Sequence, residues 1–386
     1  MGGLAGSGRR DEVQRSFTMI RDSVVDSLIA EMLIGLRQDI AALSPGPGLA
    51  AMFLGGSYGR GDGGVVEREG RRLPYNDMDF FVFSDGMGKK SRIALDAALA
   101  GLAETWSERM RIDIDFAPAR ELRTLSTMPV TLMFQELREG HVLVWGDERT
   151  IARIPECPAQ SLPGLEALRL LLNRGTGLLL AAMRLAEDCD DEASGDFIWR
   201  NLHKCALGCG DALLILTHSY DYSLSRRQAG MAAWRSRFWP EAMGEQLVEH
   251  YSRAVAFKAQ PYCESPRAAG ELLLELRQLW LASLERGLEL SGCPVSGLER
   301  LGLLRALATV GGKERWWKNW LQNVIYGLSS GVGTGCFMPP QCWLLQMLTD
   351  IHRGNPGLLG ELDFFSEPDR GLDSYETRRL VSRPYA

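Results

Sequence analysis

No two of the eight cysteines in this chain stand at C-x-x-C spacing, and most of them (157, 189, 205, 209, 263, 293, 336 and 342) lie among apolar residues. They read as reduced core thiols of a cytoplasmic protein. Cys205 and Cys209 are four apart with His203 close by, but no second pair at finger spacing completes a zinc site. Basic residues are not in excess either: Lys and Arg number 43 against 49 Asp and Glu, a net charge of −6. That argues against a protein whose main task is to grip long nucleic acid, because such binding neutralises many phosphates at once. A small substrate or a local basic groove is still compatible. Long apolar runs are missing too. The longest, "LRLLLNRGTGLLLAAMRLA", is broken by Asn173, Arg174 and Gly175, too soon to span a bilayer, so no membrane partner is expected. The leading "MGGLAGSGRRDEVQRS" has no apolar h-region and reads as a frayed tail over 1–15. None of the five histidines falls in a Ser-His-Asp or metal-ligand pattern, and no repeat at fixed period is present.

What is there suffices for two globular domains, since 386 residues are 45% hydrophobic. From Thr18 to Leu43 the apolar positions Ile20, Val24, Leu28, Met32, Ile34 and Leu36 recur at helical spacing, until "SPGPG" stops them. "LAAMFL" and "MDFFVF" are short and wholly apolar, as strands buried on both faces are. Between them "GGVVEREGRRLPYND" has the pattern of a hairpin turning on Glu-Gly. "SRIALDAALAGLAETWSERM" predicts an amphipathic helix, "RIDIDFAP" a third strand and "HVLVWGD" a fourth. The expected fold class is α+β: a small mixed-sheet catalytic domain over 16–153, then an all-α domain over 154–365 and a loose tail over 366–386. Helices are expected at 161–187, 196–219, 225–258, 266–291, 297–326 and 340–352.

The chemistry gathers in "FLGGSYGRGDGGVVEREGRRLPYNDMDFFVF". In a strand, residues two apart share a face, so Asp77 and Asp79 converge on one side while Met78 and Phe80 enter the core. Holding two like charges together is costly unless a cation lies between them, and hard oxygen ligands suit Mg²⁺ or Mn²⁺. The bland alternative is a solvated outer sheet face. Asp113 and Asp115 repeat the spacing on a later strand, where Ile112, Ile114 and Phe116 take the other face. If the two strands are neighbours, a third carboxylate joins the first pair. Gly55 and Gly56 let the backbone approach a ligand and aim N–H groups at phosphate oxygens, Ser57 adds a hydroxyl, and a helix starting there favours an anion. A simple turn is the plain reading of the same three residues.

A strand ending in Gly-Gly-Ser, an Asp-x-Asp on the next strand and a further acidic residue on a later one resemble the DNA polymerase beta superfamily of nucleotidyltransferases, over roughly residues 49–118. "IDIDF" is similar to the corresponding strand of the aminoglycoside nucleotidyltransferases, and the helical second half is similar in layout to members that close helices over the nucleotide. The resemblance implies transfer of a nucleoside monophosphate from a nucleoside triphosphate, with ATP expected, to an acceptor hydroxyl, and release of pyrophosphate. Two Mg²⁺ or Mn²⁺ ions would sit on Asp77, Asp79 and Asp113; Asp113 would serve as ligand or base, and Asp115 as accessory ligand or plain surface residue. Gly55, Gly56 and Ser57 would hold the β and γ phosphates. The 20-residue step from Ser57 to Asp77 is longer than the family's compact spacing; the charged hairpin accounts for it, and Arg60, between Gly59 and Gly61, is a candidate contact outside the family's compact pattern. The acceptor is a small molecule or protein side chain in preference to RNA. A silent nucleotide-binding or interaction module that keeps the fold is the alternative.

Further along, Lys204 and Asp211 lie seven apart on one helical face, in a pattern that serves a triphosphate clamp or a structural ion pair alike. Arg174 and Tyr220 are polar groups beside apolar runs, equally suited to a site or to core-edge hydrogen bonds. "GVGTG" lacks the strand before and the helix after that a nucleotide loop needs and reads as a loop, and "RWWKNW" reads as packing.

Overall fold

The computed structural model describes residues 16–43, 48–187, 191–236, 241–292, 348–349 and 352–353. It is a mixed α/β fold with a small mixed sheet, and its contacts divide the chain into two units. The first is Met1–Cys157 with Ala256–Pro261; the second is Pro158–Val255 with Tyr262–Ala386.

The first unit opens on helix α1 (Ser23–Ala42). Asp22 caps it, its Oδ1 accepting the Val24 and Val25 N–H groups at 3.0 and 3.1 Å, which supplies partners for donors the first turn leaves open. Val25, Ile29, Met32, Leu33, Leu36 and Ile40 form its buried stripe. The helical spacing read from Thr18 onward therefore starts late: Thr18 bridges Gly63, and Met19 and Ile20 form a turn that the Arg21 N–H closes onto the Thr18 carbonyl at 3.1 Å. Strand β1 (Leu49–Leu54) leads into the short helix α2 (Gly56–Arg60). The hairpin strands β2 (Val65–Arg68) and β3 (Arg71–Pro74) turn on Glu69 and Gly70, whose φ values of 52° and 71° are the paired left-handed geometry that tight hairpins favour. Then come β4 (Asp77–Ser84), α3 (Lys89–Met110), β5 (Asp113–Phe116), β6 (Arg120–Glu121), α4 (Leu132–Glu139) and β7 (Val142–Gly146).

The sheet runs β5-β4-β1-β7, with β6 also beside β4. β1 is antiparallel to β4 and β7, whereas β5 and β6 are parallel to β4. Because strand side chains alternate, the sheet divides its residues between two cores. Met52, Leu54, Met78, Phe80, Val82, Ile112 and Ile114 face one core with the stripe of α1 and with Leu95, Leu99, Trp106 and Met110 of α3. Ala51, Phe53, Phe81 and Phe83 face the other with Leu122, Leu125, Phe134, Leu137 and Ile154. The wholly apolar reading of "LAAMFL" and "FFVF" has this double burial as its cause.

In the second unit the described elements are helices: α5 (Gly164–Ala186), α6 (Glu192–Leu216), α7 (Leu224–Met231), α8 (Glu241–Ala259, whose last residues Ala256–Ala259 fall in the first unit) and α9 (Pro266–Leu290). The single helix expected over 225–258 is thus two. Trp280 of α9 donates its indole N–H to the Leu171 carbonyl at 2.9 Å, and Gly175 leaves room for its ring. Both groups are buried, so the bond satisfies a donor that would be costly to strand. The readings of 1–15, 297–326, "GVGTG", "RWWKNW", 366–386 and all but three residues of 340–352 lie outside the described residues.

Candidate functional site

Parity alone puts Asp77 and Asp79 on the face of β4 shared with Phe81 and Phe83, and Asp113 and Asp115 on the corresponding face of β5. The register then makes them neighbours: Asp77 lies opposite Asp113, and Asp79 opposite Asp115. Adjacent strands are about 4.8 Å apart, so two rows of carboxylates share one patch at the start of the strands. Asp113 is exposed, while Asp77, Asp79 and Asp115 are half-buried.

β1 runs beside β4 and ends against this patch. The Gly55 N–H donates to the Asp79 carbonyl at 2.8 Å, the last rung before the chain turns into α2. A Cβ on Gly55 would come 2.6 Å from the Phe81 ring and 2.8 Å from a Leu137 methyl. Gly55 is therefore glycine because of the core, and its N–H is already engaged, which corrects its assignment as a phosphate donor. Gly56 differs. Its φ is +59°, and a Cβ there would stand 2.6 Å from Asp79 Oδ2. The missing side chain lets the Asp79 carboxylate approach the first turn of α2, where helix N–H groups lack intrahelical partners and negative charge is favoured. Ser57 is half-buried in that same turn.

The rest of α2 faces elsewhere. Arg60, at its far end, pairs with Glu136 of α4 at 3.1 Å and with Asp62 at 3.7 Å, so it acts as a tie to α4 and is not gathered with the carboxylates. Gly61 closes the helix at φ +79°.

Two residues that sequence reasoning passed over organise the patch. Tyr58 is fully buried; its hydroxyl accepts the Tyr75 N–H at 2.6 Å and faces the carbonyls of Gly64 and Tyr75 at 2.8 and 3.0 Å. One phenol thus clasps both ends of the hairpin. Burial pushes its pKa well up; the Tyr75 hydrogen bond opposes this, and the Asp77 charge adds to it. Asn76 precedes Asp77 at φ +74°; its side-chain amide donates to Asp77 Oδ1, and its carbonyl accepts the Asp113 N–H at 3.3 Å. The available signal was an asparagine directly before Asp-x-Asp, a type that tolerates left-handed backbone.

The other candidates lie in the second unit. Asp211 pairs there with Arg227 of α7 at 2.9 Å and accepts the Tyr251 hydroxyl at 2.7 Å. Lys204 is half-buried on α6. Arg174 crosses α6 where Gly208 leaves space for its side chain. Tyr220 is buried, edge-on to Tyr222 and beneath the Arg227 guanidinium at 4.8 Å, which makes it part of a packed polar cluster.

The donor set suits a hard divalent cation in type and in shared face, and Gly56 leaves a cradle beside Asp79 that a Cβ would fill. As the side chains stand, no three His, Cys, Asp or Glu groups among the described residues converge closely enough to hold an ion. Ligation by three of the carboxylates at once would thus require at least one of them to turn. Among the described residues no helix is long and apolar enough to cross a membrane. Compared with family models, curated proteins and solved structures, the chain gives no match in any of the three.

Proposed function

We propose that the chain is a metal-dependent nucleotidyltransferase, moving a nucleoside monophosphate from a nucleoside triphosphate, with ATP favoured, to an acceptor hydroxyl as pyrophosphate leaves. The observation that carries this reading is the register Asp77 opposite Asp113 and Asp79 opposite Asp115, set beside the turn from Gly55 to Ser57. Four carboxylates on one sheet face next to an open helix start offer anion and cation binding side by side.

In this reading Asp77, Asp79 and Asp113 hold Mg²⁺ or Mn²⁺, which when bound would neutralise triphosphate charge and acidify the acceptor hydroxyl. Gly56 and Ser57 present N–H groups and a hydroxyl to the β and γ phosphates. Asp113 takes the acceptor proton, with Asp115 as its rival because it is the more enclosed of the two and lies beside Asp79. The second unit is read as an all-helical substrate-binding domain, supported by its described elements, and the protein as cytoplasmic and acting on a small molecule or protein side chain rather than RNA. A silent nucleotide-binding module is the second reading, favoured by one observation: no three acidic groups converge as the side chains stand.

The test is incubation with Mn²⁺ or Mg²⁺ and each labelled nucleoside triphosphate, scoring pyrophosphate release with an amino sugar, a protein and a short RNA as acceptors. Transfer that disappears in Asp77→Ala supports the enzyme. In Asp113→Asn, nucleotide binding should persist while transfer is lost; strong residual transfer assigns the base role to Asp115. Nucleotide binding with no turnover for any acceptor, unchanged in Asp77→Ala, supports the silent module.

A further inference from the structure

Asn76 touches both acidic strands. It stands at the junction of hairpin and sheet with φ +74°, a left-handed backbone that most side chains occupy only at a cost of about 1–2 kcal/mol. From there its carbonyl accepts the N–H of Asp113 at 3.3 Å, and its side-chain amide donates to Asp77 Oδ1. The peptide leading into it is not a free loop tip, because the buried Tyr58 hydroxyl accepts the Tyr75 N–H at 2.6 Å.

The residue type matters to what this contact can do. A lysine or arginine here would bring a positive charge against Asp77 and compete with a cation for it. Aspartate would tolerate the backbone but add a like charge, and glycine would tolerate it while donating nothing. An amide orients a carboxylate without neutralising it, which is how hydrogen-bonded partners outside a metal's ligand set tune the ligands themselves.

We propose that Asn76 is a positioning residue of this site: its amide orients the Asp77 carboxylate for a divalent cation, and its carbonyl keeps the start of β5 in register beside it. The proposal rests on the nucleotidyl-transfer reading above and gives the left-handed residue before the acidic strand a purpose beyond turning the chain.

The experiment titrates the full chain with Mn²⁺ alone by calorimetry, and records melting curves without metal, for wild type, Asn76→Gly, Asn76→Ala and Asp77→Ala. Binding is measured at a temperature where circular dichroism finds every variant folded. Asn76→Gly keeps the left-handed backbone available and the carbonyl in place, so it should melt within a few degrees of wild type yet bind Mn²⁺ about tenfold more weakly. Asn76→Ala should lose the same affinity and also melt lower, because it adds backbone strain. Asn76→Gly binding as tightly as wild type, while Asp77→Ala does not, overturns the positioning role and leaves the cation reading intact. A wild type that binds no Mn²⁺ at millimolar concentration overturns both.

Discussion

Gly56→Ala separates a glycine needed for the backbone from one needed for chemistry. At φ +59° an alanine carries the left-handed penalty of about 1–2 kcal/mol. Its Cβ would also stand 2.6 Å from Asp79 Oδ2, and something must shift. What can shift is the far end of the Asp79 side chain, at about 0.5–1.5 kcal/mol for a rotation of some 30° off its rotamer. The expected loss of stability is therefore about 2–3 kcal/mol, with the carboxylate displaced. Gly70→Ala is the control. Its φ is +71°, and a Cβ there meets nothing within 4 Å, so it carries the strain alone. Gly55→Ala is the opposite case, an overpacked core against Phe81 and Leu137 costing about 1–3 kcal/mol. Melting curves should place Gly56→Ala no more than about 1.5 kcal/mol below Gly70→Ala. Pyrophosphate release, corrected for folded fraction, should fall on the order of a hundredfold in Gly56→Ala only, the scale of an ångström's misplacement at a reacting centre. Equal transfer rates in Gly56→Ala and Gly70→Ala would refute the idea that this glycine exists to admit Asp79.

Two further outcomes concern stability. His203 is buried among Trp199 and Tyr262, and its pKa is pushed down to about 3, by burial first and then by the positive Arg253 and His250. His352 is held at about 4, again by burial, with the Gly175 carbonyl opposing and Arg277 reinforcing. Both depressed values mean stability that is present above pH 6.5 and lost as pH falls toward 3 or 4, because the unfolded chain takes up protons the folded one refuses. By pH 5 the loss is about 2 kcal/mol for each residue. The drop in melting temperature from pH 7 to 5 should shrink correspondingly in His203→Phe; an unchanged drop would count against the burial argument. Tyr58→Phe keeps the ring but removes the nearer of two acceptors of the Tyr75 N–H, the other being the Gly64 carbonyl at 3.2 Å, and should cost about 0.5–1.5 kcal/mol in chemical denaturation. A neutral result would mean that the Gly64 carbonyl alone satisfies that N–H.

The alternation of "NDMDFF" and "RIDIDF" was readable because strand parity is a property of a few consecutive residues. So was the hairpin, whose Glu-Gly turn is a local signal. The start of α1 was misplaced by five residues because Ile20 fits the helical period by chance, while the backbone of residues 16–22 is drawn to Gly63 by a non-local bridge. α4 went unseen because its eight residues make only about two turns, shorter than the stretch over which a helical period can be told from chance. Arg60 was a candidate contact by its place soon after Gly-Gly-Ser, and only the position of Glu136, 76 residues later, shows where its charge goes.

Local chemistry was thus enough to say that four aspartates occupy the polar faces of two strands and that two glycines end a third. It was not enough to make those strands neighbours, to bring Asp77 beside Asp113, or to tell Gly55 from Gly56. Those outcomes depend on contacts between residues far apart in the chain: Phe81 and Leu137 crowd one glycine, Asp79 crowds the other, and Asn76 reaches two strands from a single left-handed residue. Pairing is a choice among strands, settled by which faces the two cores bury, and the folded chain makes that choice where no short stretch of sequence can.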